Sequence, residues 1–408
     1  MRIAIVLGAF NAGGVQTFVL RLARYLRNRG NELEFILVEN RGVWFDDVVK
    51  EFPVHFLDPQ QSFTNWSFAH KVGGFLAGQK YEVVLLNHVR FAQAALSYLD
   101  KATVVIPVIH NDVPNIYRVA CGNPEQWNCI VSDGDKVWET SRKQYTSKPN
   151  VLIYYGVDLP TKEADRPAPG GNAPLKLLFS GAIEHDRKGC LDLAPIVKHC
   201  LDMGFDVRID VVGDGPDRGR LESRFRDEGI ADVASFLGIL ASSENYHAFL
   251  SHHVLVMPSR WEGFPITPLE AQACGCVPIA THLPGITDAG IVDGVTGFLL
   301  PLGDTEAFAR RIAELANDPV QWAEMSRAGQ QHVRERFSVE VMGRQYLELF
   351  EDVRRGKYDS RAGRRRFGRI DHEMLAWRDY LPHGWLGDLL HKPVQWASRW
   401  MRRSRSAS

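Results

Sequence analysis

The sequence predicts an α/β protein with two doubly wound domains, each built on a parallel sheet. The N-terminal segment contains, in order, a strand, a glycine-containing loop, a helix and a second strand, at 2–7, 8–14, 15–29 and 34–38. This order opens a doubly wound sheet. After a segment rich in Pro, Gly and charge at 161–174, strands and helices alternate again. The chain has 408 residues, which is too long for one core and suits two domains.

Composition places the chain among ordinary globular proteins. Hydrophobic residues make up 45% and charged residues 24% of the sequence. The six cysteines form no CxxC pair, so we expect reduced thiols in a cytosolic protein and no zinc site. The apolar N-terminus lacks a full signal-peptide core and is interpreted as a strand. No run of 18 apolar residues predicts a membrane span.

The C-terminal segment is strongly basic. From residue 354 onward there are 14 Lys/Arg and 5 Asp/Glu, whereas the remainder holds 34 basic and 44 acidic residues. Residues 357–408 also contain four of the ten tryptophans, namely Trp377, Trp385, Trp396 and Trp400. Two interpretations stay open: this tail anchors the protein at an anionic membrane surface, or its aromatic residues pack on the protein itself or on a partner subunit. No recognised reader fold accompanies the charge, so we expect no nucleic-acid partner.

The remaining elements of the first half follow from apolar runs. Strands are predicted at 83–86, 103–109 and 129–132, with a helical run up to residue 145, and the segment 151–158 opens with a further strand. The segment 45–76, rich in Phe, Trp, Asn and Ser, is not assigned, and we expect loops there. His110 directly follows the strand at 103–109. A histidine in this position is more often structural than catalytic.

The second half repeats the alternation of strand and helix. Strands are predicted at 175–179, 207–212, 235–237, 254–257 and 277–280, and helices at 190–203, 217–228, 244–251, 268–274, 305–316, 320–335 and 339–354. The loop 180–189 before the first of these helices contains Lys188, and a cation beside a helix N-terminus is suited to a diphosphate. The same lysine on a plain solvated surface is the alternative.

Two glutamates lie eight positions apart in the segment 258–280, which reads PSRWEGFPITPLEAQACGCVPIA. Glu262 falls in the loop after a predicted strand, and Glu270 falls on the following helix, which Gly275 ends. A loop that enters a helix at the carboxyl end of a parallel strand is a typical ligand site. Exposed N–H groups there suit a phosphate, and a carboxylate can accept hydrogen bonds from sugar hydroxyls. Two glutamates at this spacing are common by chance, so the pair alone is weak evidence.

The complete segment resembles the signature of glycosyltransferase family 4, the retaining enzymes that use nucleotide sugars. The shared pattern is Glu-x7-Glu-Ala-x-Ala-x-Gly, here from Glu262 to Gly275. The resemblance implies the GT-B architecture, with two Rossmann-like domains facing a central cleft. It implies an acceptor-side domain at 1–160, a linker at 161–174, a nucleotide-sugar domain at 175–337, a closing helix at 338–356 that returns toward the first domain, and the tail at 357–408.

The resemblance also assigns roles to residues of the second domain. Glu270 would hold the ribose hydroxyls, and Glu262 would face the sugar and the reacting centre. Lys188 would neutralise the diphosphate leaving group. An arginine of the family pattern is replaced by Ala182, for which Arg187 or Arg260 would compensate. The residues expected to position the donor are Phe264, Pro265 and Ile266, and those near the nucleotide base are Leu237, Gly238 and Ile239.

In the first domain the resemblance implies that Gly13 and Gly14 lie near the donor phosphates and sugar. It also favours a place near the donor sugar for His110, which makes Glu262, His110 and Lys188 the expected catalytic residues. Tyr154 and Tyr155 stand where the family usually has Pro and Asn.

The function implied is a hexosyltransferase that moves a sugar, with retention, from a nucleoside-diphosphate sugar to a glycan or lipid-linked acceptor. Such an enzyme would act in cell-surface polysaccharide or glycolipid synthesis, without a metal or other cofactor. We expect a cytoplasmic location, with the tail as the candidate contact with the inner face of the membrane. The alternatives are a GT-B nucleotide-sugar epimerase and a non-catalytic, glycosyltransferase-like subunit, which the replacement at Ala182 favours.

Overall fold

The computed structural model describes residues 1–11, 13–162, 166–170, 173–240, 242–358, 370–371 and 374–375. These residues divide into two compact units. The first contains Met1–Asp133, Val137–Leu152 and the chain from residue 345 onward, and the second contains Gly134–Lys136 and Ile153–Arg344.

The first unit is built on a seven-stranded parallel sheet. Its strands are β1 (Arg2–Leu7), β2 (Glu32–Leu37), β3 (Val54–Phe56), β4 (Val83–Asn87), β5 (Val104–Ile109), β6 (Ile130–Ser132) and β7 (Asn150–Leu152). They lie in the order β3-β2-β1-β4-β5-β6-β7. The chain builds outward from β1 in one direction and resumes at β4 in the other, which is the doubly wound topology predicted from the sequence.

Six α-helices lie between β1 and β7 in the described part of the chain. They are α1 (Gly14–Asn28), α2 (Phe45–Val48), α3 (Asn65–Gly78), α4 (Arg90–Ala94), α5 (Pro114–Cys121) and α6 (Asp135–Thr140). The unassigned segment 45–76 is therefore not a set of loops, because it contains α2, β3 and most of α3. Helix α3 begins with a capping box, in which Thr64 and Ser67 exchange side-chain and backbone hydrogen bonds at about 3.0 Å.

The second unit is built on a six-stranded parallel sheet. Its strands are β8 (Leu175–Ser180), β9 (Val207–Val212), β10 (Ala234–Gly238), β11 (Val254–Met257), β12 (Val277–Thr281) and β13 (Phe298–Leu300). The order β10-β9-β8-β11-β12-β13 again reverses direction once, between β8 and β11.

The helices that follow are α7 (His185–Lys188), α8 (Leu193–Asp202), α9 (Arg218–Asp227), α10 (Ser242–Ser251), α11 (Thr267–Ala273), α12 (Thr305–Asn317), α13 (Pro319–Arg336) and α14 (Val339–Arg354). The helix predicted at 190–203 is confirmed for most of its length as α8, which a 3₁₀ turn at Cys190–Asp192 precedes. Gly189 separates α7 from this turn, since it adopts a left-handed conformation with φ of 62°.

Three further predictions concern the segment 151–158, the linker and the tail. The strand that opens the segment 151–158 is short and spans Asn150–Leu152. The predicted linker 161–174 does not run free along its whole length, because Arg166 binds the second unit through three backbone carbonyl groups. Most of the basic tail at 357–408 lies outside the described residues.

Each sheet has its own apolar core. In the first unit the core includes Val84, Val105 and Trp127, and in the second it includes Leu177, Val254 and Phe308. Both sets combine strand residues that face one side of the sheet with residues from the covering helices. No helix in the described part of the chain is both long and apolar enough to cross a membrane.

Candidate active site

The loops that follow β8 and β9 are joined by backbone hydrogen bonds. Gly181 N donates to Val212 O at 3.0 Å, and Ile183 N donates to Asp214 O at 3.0 Å. Gly213 makes this close approach possible, because a Cβ atom at this position would lie 1.9 Å from Gly181 O. The glycine turn after β9 therefore has a structural role. Ala182 lies exposed in the same loop.

A second close approach joins the loop of α7 to the start of the signature segment. A Cβ atom on Gly189 would lie 2.0 Å from Pro258 O. The carbonyl group of Arg187 accepts hydrogen bonds from Arg260 N at 2.8 Å and Trp261 N at 3.1 Å. The loops after the adjacent strands β8 and β11 are thus fixed against each other at the point where the strand order reverses. In open α/β sheets this is where ligands bind.

Lys188 and Glu262 meet between these two loops. Lys188 Nζ donates to Glu262 Oε1 at 2.7 Å and to Oε2 at 2.8 Å. Ser259 Oγ donates to Glu262 Oε1 at 2.7 Å. The Glu262 side chain is 6% exposed and that of Lys188 is 19% exposed. The structure therefore brings two residues predicted for the sugar and the diphosphate into one nearly buried ion pair.

The two arginines considered as substitutes for the arginine missing at Ala182 lie in different surroundings. Arg260 Nη2 lies 3.1 Å from Asp192 Oδ2. The Arg187 guanidinium lies 5.6 Å from the centre of the Trp261 ring, and its Nη1 lies 3.6 Å from Glu184. Arg187 is 48% exposed on its side chain, so it is the more accessible of the two to an anion.

Helix α11 carries Glu270 in its first turn, as predicted, and the glutamate is partly exposed. Just before α11, Phe264 is buried and stacks on Tyr154 with ring centres 5.5 Å apart. Pro265 is buried and Ile266 partly exposed. The Phe264 ring thus fixes the loop before α11 against the protein interior, while the donor-positioning roles of 264–266 stay predictions.

The residues predicted near the nucleotide base lie at the end of β10 and just beyond it. Leu237 is 44% exposed and Ile239 is 81% exposed. Gly238 has a positive φ of 71°, and its carbonyl group accepts a hydrogen bond from Gly213 N at 2.7 Å. The exposed apolar side chains beside this turn are compatible with a contact to a base, and that contact stays a prediction.

In the first unit, His110 is fully buried at the end of β5. Its Nε2 lies 2.8 Å from Asn87 Oδ1, and its Nδ1 lies 3.4 Å from Asp133 Oδ2. The backbone N–H of His110 donates to His88 Nε2 at 3.0 Å. Burial lowers the pKa of His110 to about 3, so the ring is neutral at physiological pH. The structure assigns the ring internal partners, and its catalytic role stays a prediction.

Gly13 and Gly14 lie at the N-terminus of α1. Gly13 precedes the helix in an extended conformation, and its carbonyl group accepts hydrogen bonds from the backbone N–H and the hydroxyl of Thr17, both at 3.1 Å. Gly14 is the first helical residue. Fifteen residues of helix behind this position supply the dipole and N–H groups that favour an anion.

Sequence reasoning missed Ser259 and the partners of His110. Ser259 precedes Glu262 by three positions in the same loop, a spacing at which the hydroxyl can reach the carboxylate. Asn87 ends β4, and Asp133 directly follows β6. Because β4, β5 and β6 are adjacent and parallel, polar residues at their carboxyl ends lie side by side. This signal was present in the sequence.

The two doubly wound parallel-sheet units show the GT-B architecture predicted from the sequence. Among solved structures, HepE of Anabaena in complex with UDP and glucose superposes with a TM-score of 0.71, covering 86% of this chain and 100% of that chain at 17% identity. At this identity the similarity establishes the fold.

The sequence of the second unit matches a known protein family. Residues 174–318 match the family described as Glycosyl transferases group 1. A D-inositol 3-phosphate glycosyltransferase of Streptomyces avermitilis is 39% identical over 104 residues, which are 26% of this chain and 22% of that enzyme. A phosphatidyl-myo-inositol mannosyltransferase of Mycobacterium leprae is 25% identical over 361 residues, covering 84% of this chain and 93% of that enzyme. The family match thus covers the signature segment from which the resemblance was predicted.

Proposed function

We propose that the protein transfers a sugar from a nucleoside-diphosphate sugar to a glycan or lipid-linked acceptor, with retention at the anomeric carbon. The observation that carries the proposal is the cluster of Lys188, Glu262 and Ser259 at the reversal point between β8 and β11. A cation for the diphosphate and a carboxylate for sugar hydroxyls lie within 2.8 Å of each other there. HepE, which shares the fold, binds UDP and glucose.

The division of roles in this proposal follows from charge. Lys188 stabilises the negative charge that develops on the departing diphosphate, an interaction that strengthens where water is excluded. Glu262 accepts hydrogen bonds from the sugar, and Glu270 on α11 accepts them from the ribose. Because Lys188 supplies the positive charge, the reaction proposed needs no resident metal. Turnover that is unchanged by EDTA is the expected result.

The first experiment is a thermal-shift panel of UDP, GDP, ADP and their sugar conjugates. A ligand that binds the native state raises the unfolding midpoint by mass action. We expect one nucleotide to raise it in the wild type and Glu270→Ala to abolish the rise. Glu306→Ala is the matched control, because Glu306 lies in the first turn of α12 with 69% of its side chain exposed. The site assignment fails if Glu270→Ala leaves the rise intact.

Product analysis separates the proposal from its alternatives. A transferase releases nucleoside diphosphate when an acceptor is present, and NMR of the product reports the anomeric configuration. An epimerase converts the donor sugar without acceptor. A non-catalytic subunit, which the exposed Ala182 favours, shows a thermal shift without release of nucleotide.

The acceptor and the site of action form a second part of the proposal. The relative from Mycobacterium leprae is named for a phosphatidyl-inositol acceptor, and the sequence of the tail at 357–408 combines basic residues with four tryptophans. We propose that the protein acts at the inner membrane surface on such an acceptor. Co-sedimentation of the full chain with anionic vesicles, but not neutral ones, is the expected result. Equal sedimentation with both would refute the electrostatic contact.

A further inference from the structure

The ion pair between Lys188 and Glu262 influences which ligand the site prefers. Both oxygens of Glu262 lie within 2.8 Å of Lys188 Nζ, and the carboxylate is held in this orientation by Ser259. Ser259 is completely buried and Glu262 is 5% exposed. The negative charge of Glu262 therefore cannot turn away into solvent when another anion approaches the lysine.

A diphosphate that binds Lys188 has to share it with this fixed carboxylate. Like charges a few ångströms apart repel strongly where water is scarce. A nucleoside diphosphate alone meets that repulsion, and it has no donor-sugar hydroxyl group that could donate a hydrogen bond to Glu262. An intact nucleotide sugar brings hydroxyl groups that donate hydrogen bonds to the carboxylate, which still has unused acceptor positions.

We propose that Glu262 is a specificity-determining residue that makes the site prefer the intact sugar donor over the spent nucleoside diphosphate. It does so by competing for Lys188 unless sugar hydroxyls engage the carboxylate. The inference rests on the proposed function, because it takes the ligand of Lys188 to be a nucleotide diphosphate. Its consequence for turnover is that cleavage of the donor removes the hydroxyl partners of Glu262 and weakens the hold on the product.

The test measures dissociation constants by titration calorimetry for UDP, UDP-glucose, GDP and GDP-mannose. The wild type is expected to bind a nucleotide sugar at least about threefold more tightly than its own diphosphate. Glu262→Gln removes the charge but keeps a carbonyl oxygen for Ser259 and Lys188. The substitution is expected to increase the affinity for the diphosphate on the order of tenfold. It is expected to lower the affinity for the nucleotide sugar or leave it unchanged, so that the variant prefers the diphosphate.

Glu306→Gln is the control for overall charge. Glu306 is exposed on α12 and pairs with Arg310 at 3.3 Å rather than with a residue expected to hold the diphosphate. Its substitution is expected to change every dissociation constant by less than a factor of about two, as for an exposed pair. Unfolding midpoints without ligand show whether both variants are folded.

The outcomes separate this inference from the function on which it rests. If Glu262→Gln weakens diphosphate binding or leaves it unchanged, or if Glu306→Gln tightens it equally, the inference is wrong while the transferase site stands. If no sugar conjugate binds the wild type more tightly than its diphosphate, the inference is also wrong, whatever the variants do. If no nucleotide binds the wild type, the proposed function itself fails.

Discussion

Burial lowers the pKa of several histidines of this protein, among them His110 in the first unit and His253 in the second. The imidazole of His253 accepts a hydrogen bond from Lys176 N at 2.9 Å on Nδ1, and its Nε2 lies 3.0 Å from Pro167 O. These partners fit a neutral ring with its proton on Nε2. Burial lowers the pKa of His253 to about 4, and that of His110 to about 3. The unfolded chain therefore binds more protons than the folded chain below pH 6.5.

We predict that stability falls as the pH is lowered from 7 to 5. The stabilisation from each neutral histidine is fully present above pH 6.5 and is lost as the pH falls toward its folded pKa. Each contributes a loss of about 2 kcal/mol at pH 5. Urea titrations at pH 7, 6 and 5 measure it. His253→Gln, which keeps a donor and an acceptor, is expected to flatten the profile, and an unchanged slope would contradict the assignment.

Gly189 holds the two site loops together, and we predict that Gly189→Ala is strongly destabilising. Its left-handed conformation costs an alanine about 1–2 kcal/mol, and the new Cβ atom would collide with Pro258 O. A total loss of about 3 kcal/mol in the free energy of unfolding is expected. Gly219→Ala is the matched control, because that helical position has open space around it and alanine there stabilises by up to ~1 kcal/mol. Equal effects of both substitutions would disprove the close approach.

At the residue scale, the sequence was enough to predict the charged members of the site but not their hydrogen-bond partners. Lys188, Glu262 and Glu270 stand at positions where strands end and helices begin, and periodicity locates these positions. The contact of Ser259 with Glu262 depends on the backbone path of an irregular loop, which no periodic pattern describes. The pairing of Arg260 with Asp192 joins residues 68 positions apart in the chain and needs the tertiary fold.

Among the elements, the segment predicted as a linker has an unexpected anchor. Arg166 donates to the carbonyl groups of Phe249 and Leu250 near the end of α10 and of Cys274 just after α11. The carbonyl groups at a helix end lack partners within the helix, and a cation there also complements the helix dipole. Arg166 thus fixes the ends of two helices, including the one that carries Glu270.

We predict that Arg166→Met lowers the free energy of unfolding by about 2–3 kcal/mol, since charge-assisted hydrogen bonds to three carbonyl groups are lost. Hydrogen exchange is expected to accelerate in α10 and α11. Lys162→Met is the control in the same segment, because Lys162 is exposed and its loss is expected to matter by less than about 0.5 kcal/mol. Similar effects in both variants would show that Arg166 is not an anchor.

Element prediction succeeded where apolar runs were continuous and failed where capping decided the outcome. Strand β9 and helix α14 have the bounds read from the sequence. Helix α3 was missed because its apolar residues are mixed with Gly, Trp and His, and the signal for its start is the capping box at Thr64. The break between α7 and α8 depends on one glycine conformation.

At the scale of the whole molecule, each unit has its own sheet and apolar core. Proteins with separate cores commonly depart from two-state unfolding. We therefore predict that the calorimetric enthalpy of unfolding exceeds the van't Hoff enthalpy, and that a bound nucleoside diphosphate raises the transition of the second unit more than that of the first. Differential scanning calorimetry at several ligand concentrations measures both. A single transition with equal enthalpies would contradict independent cores.

The prediction of two doubly wound domains succeeded because strand and helix patterns alternate in both halves of the sequence. Periodicity alone did not assign the last helix to a unit, and its expected return toward the first domain came from the family resemblance. Helix α14 begins in the second unit, and from Gln345 onward the chain belongs to the first unit. The apolar face of α14 is a plain amphipathic pattern, and such a pattern does not say which sheet it covers.

The late position of α14 in the chain affects the order in which the protein folds during synthesis. Tyr346 and Phe350 are completely buried, and the Tyr346 ring lies 5.9 Å from that of Phe18 on α1. The ribosome synthesises α1 before the second unit, and Tyr346 only after every described strand of that unit. The apolar surface of the first unit that Tyr346 and Phe350 cover therefore stays exposed until the second unit has been translated. Folding of the N-terminal half is completed last, although its sequence comes first.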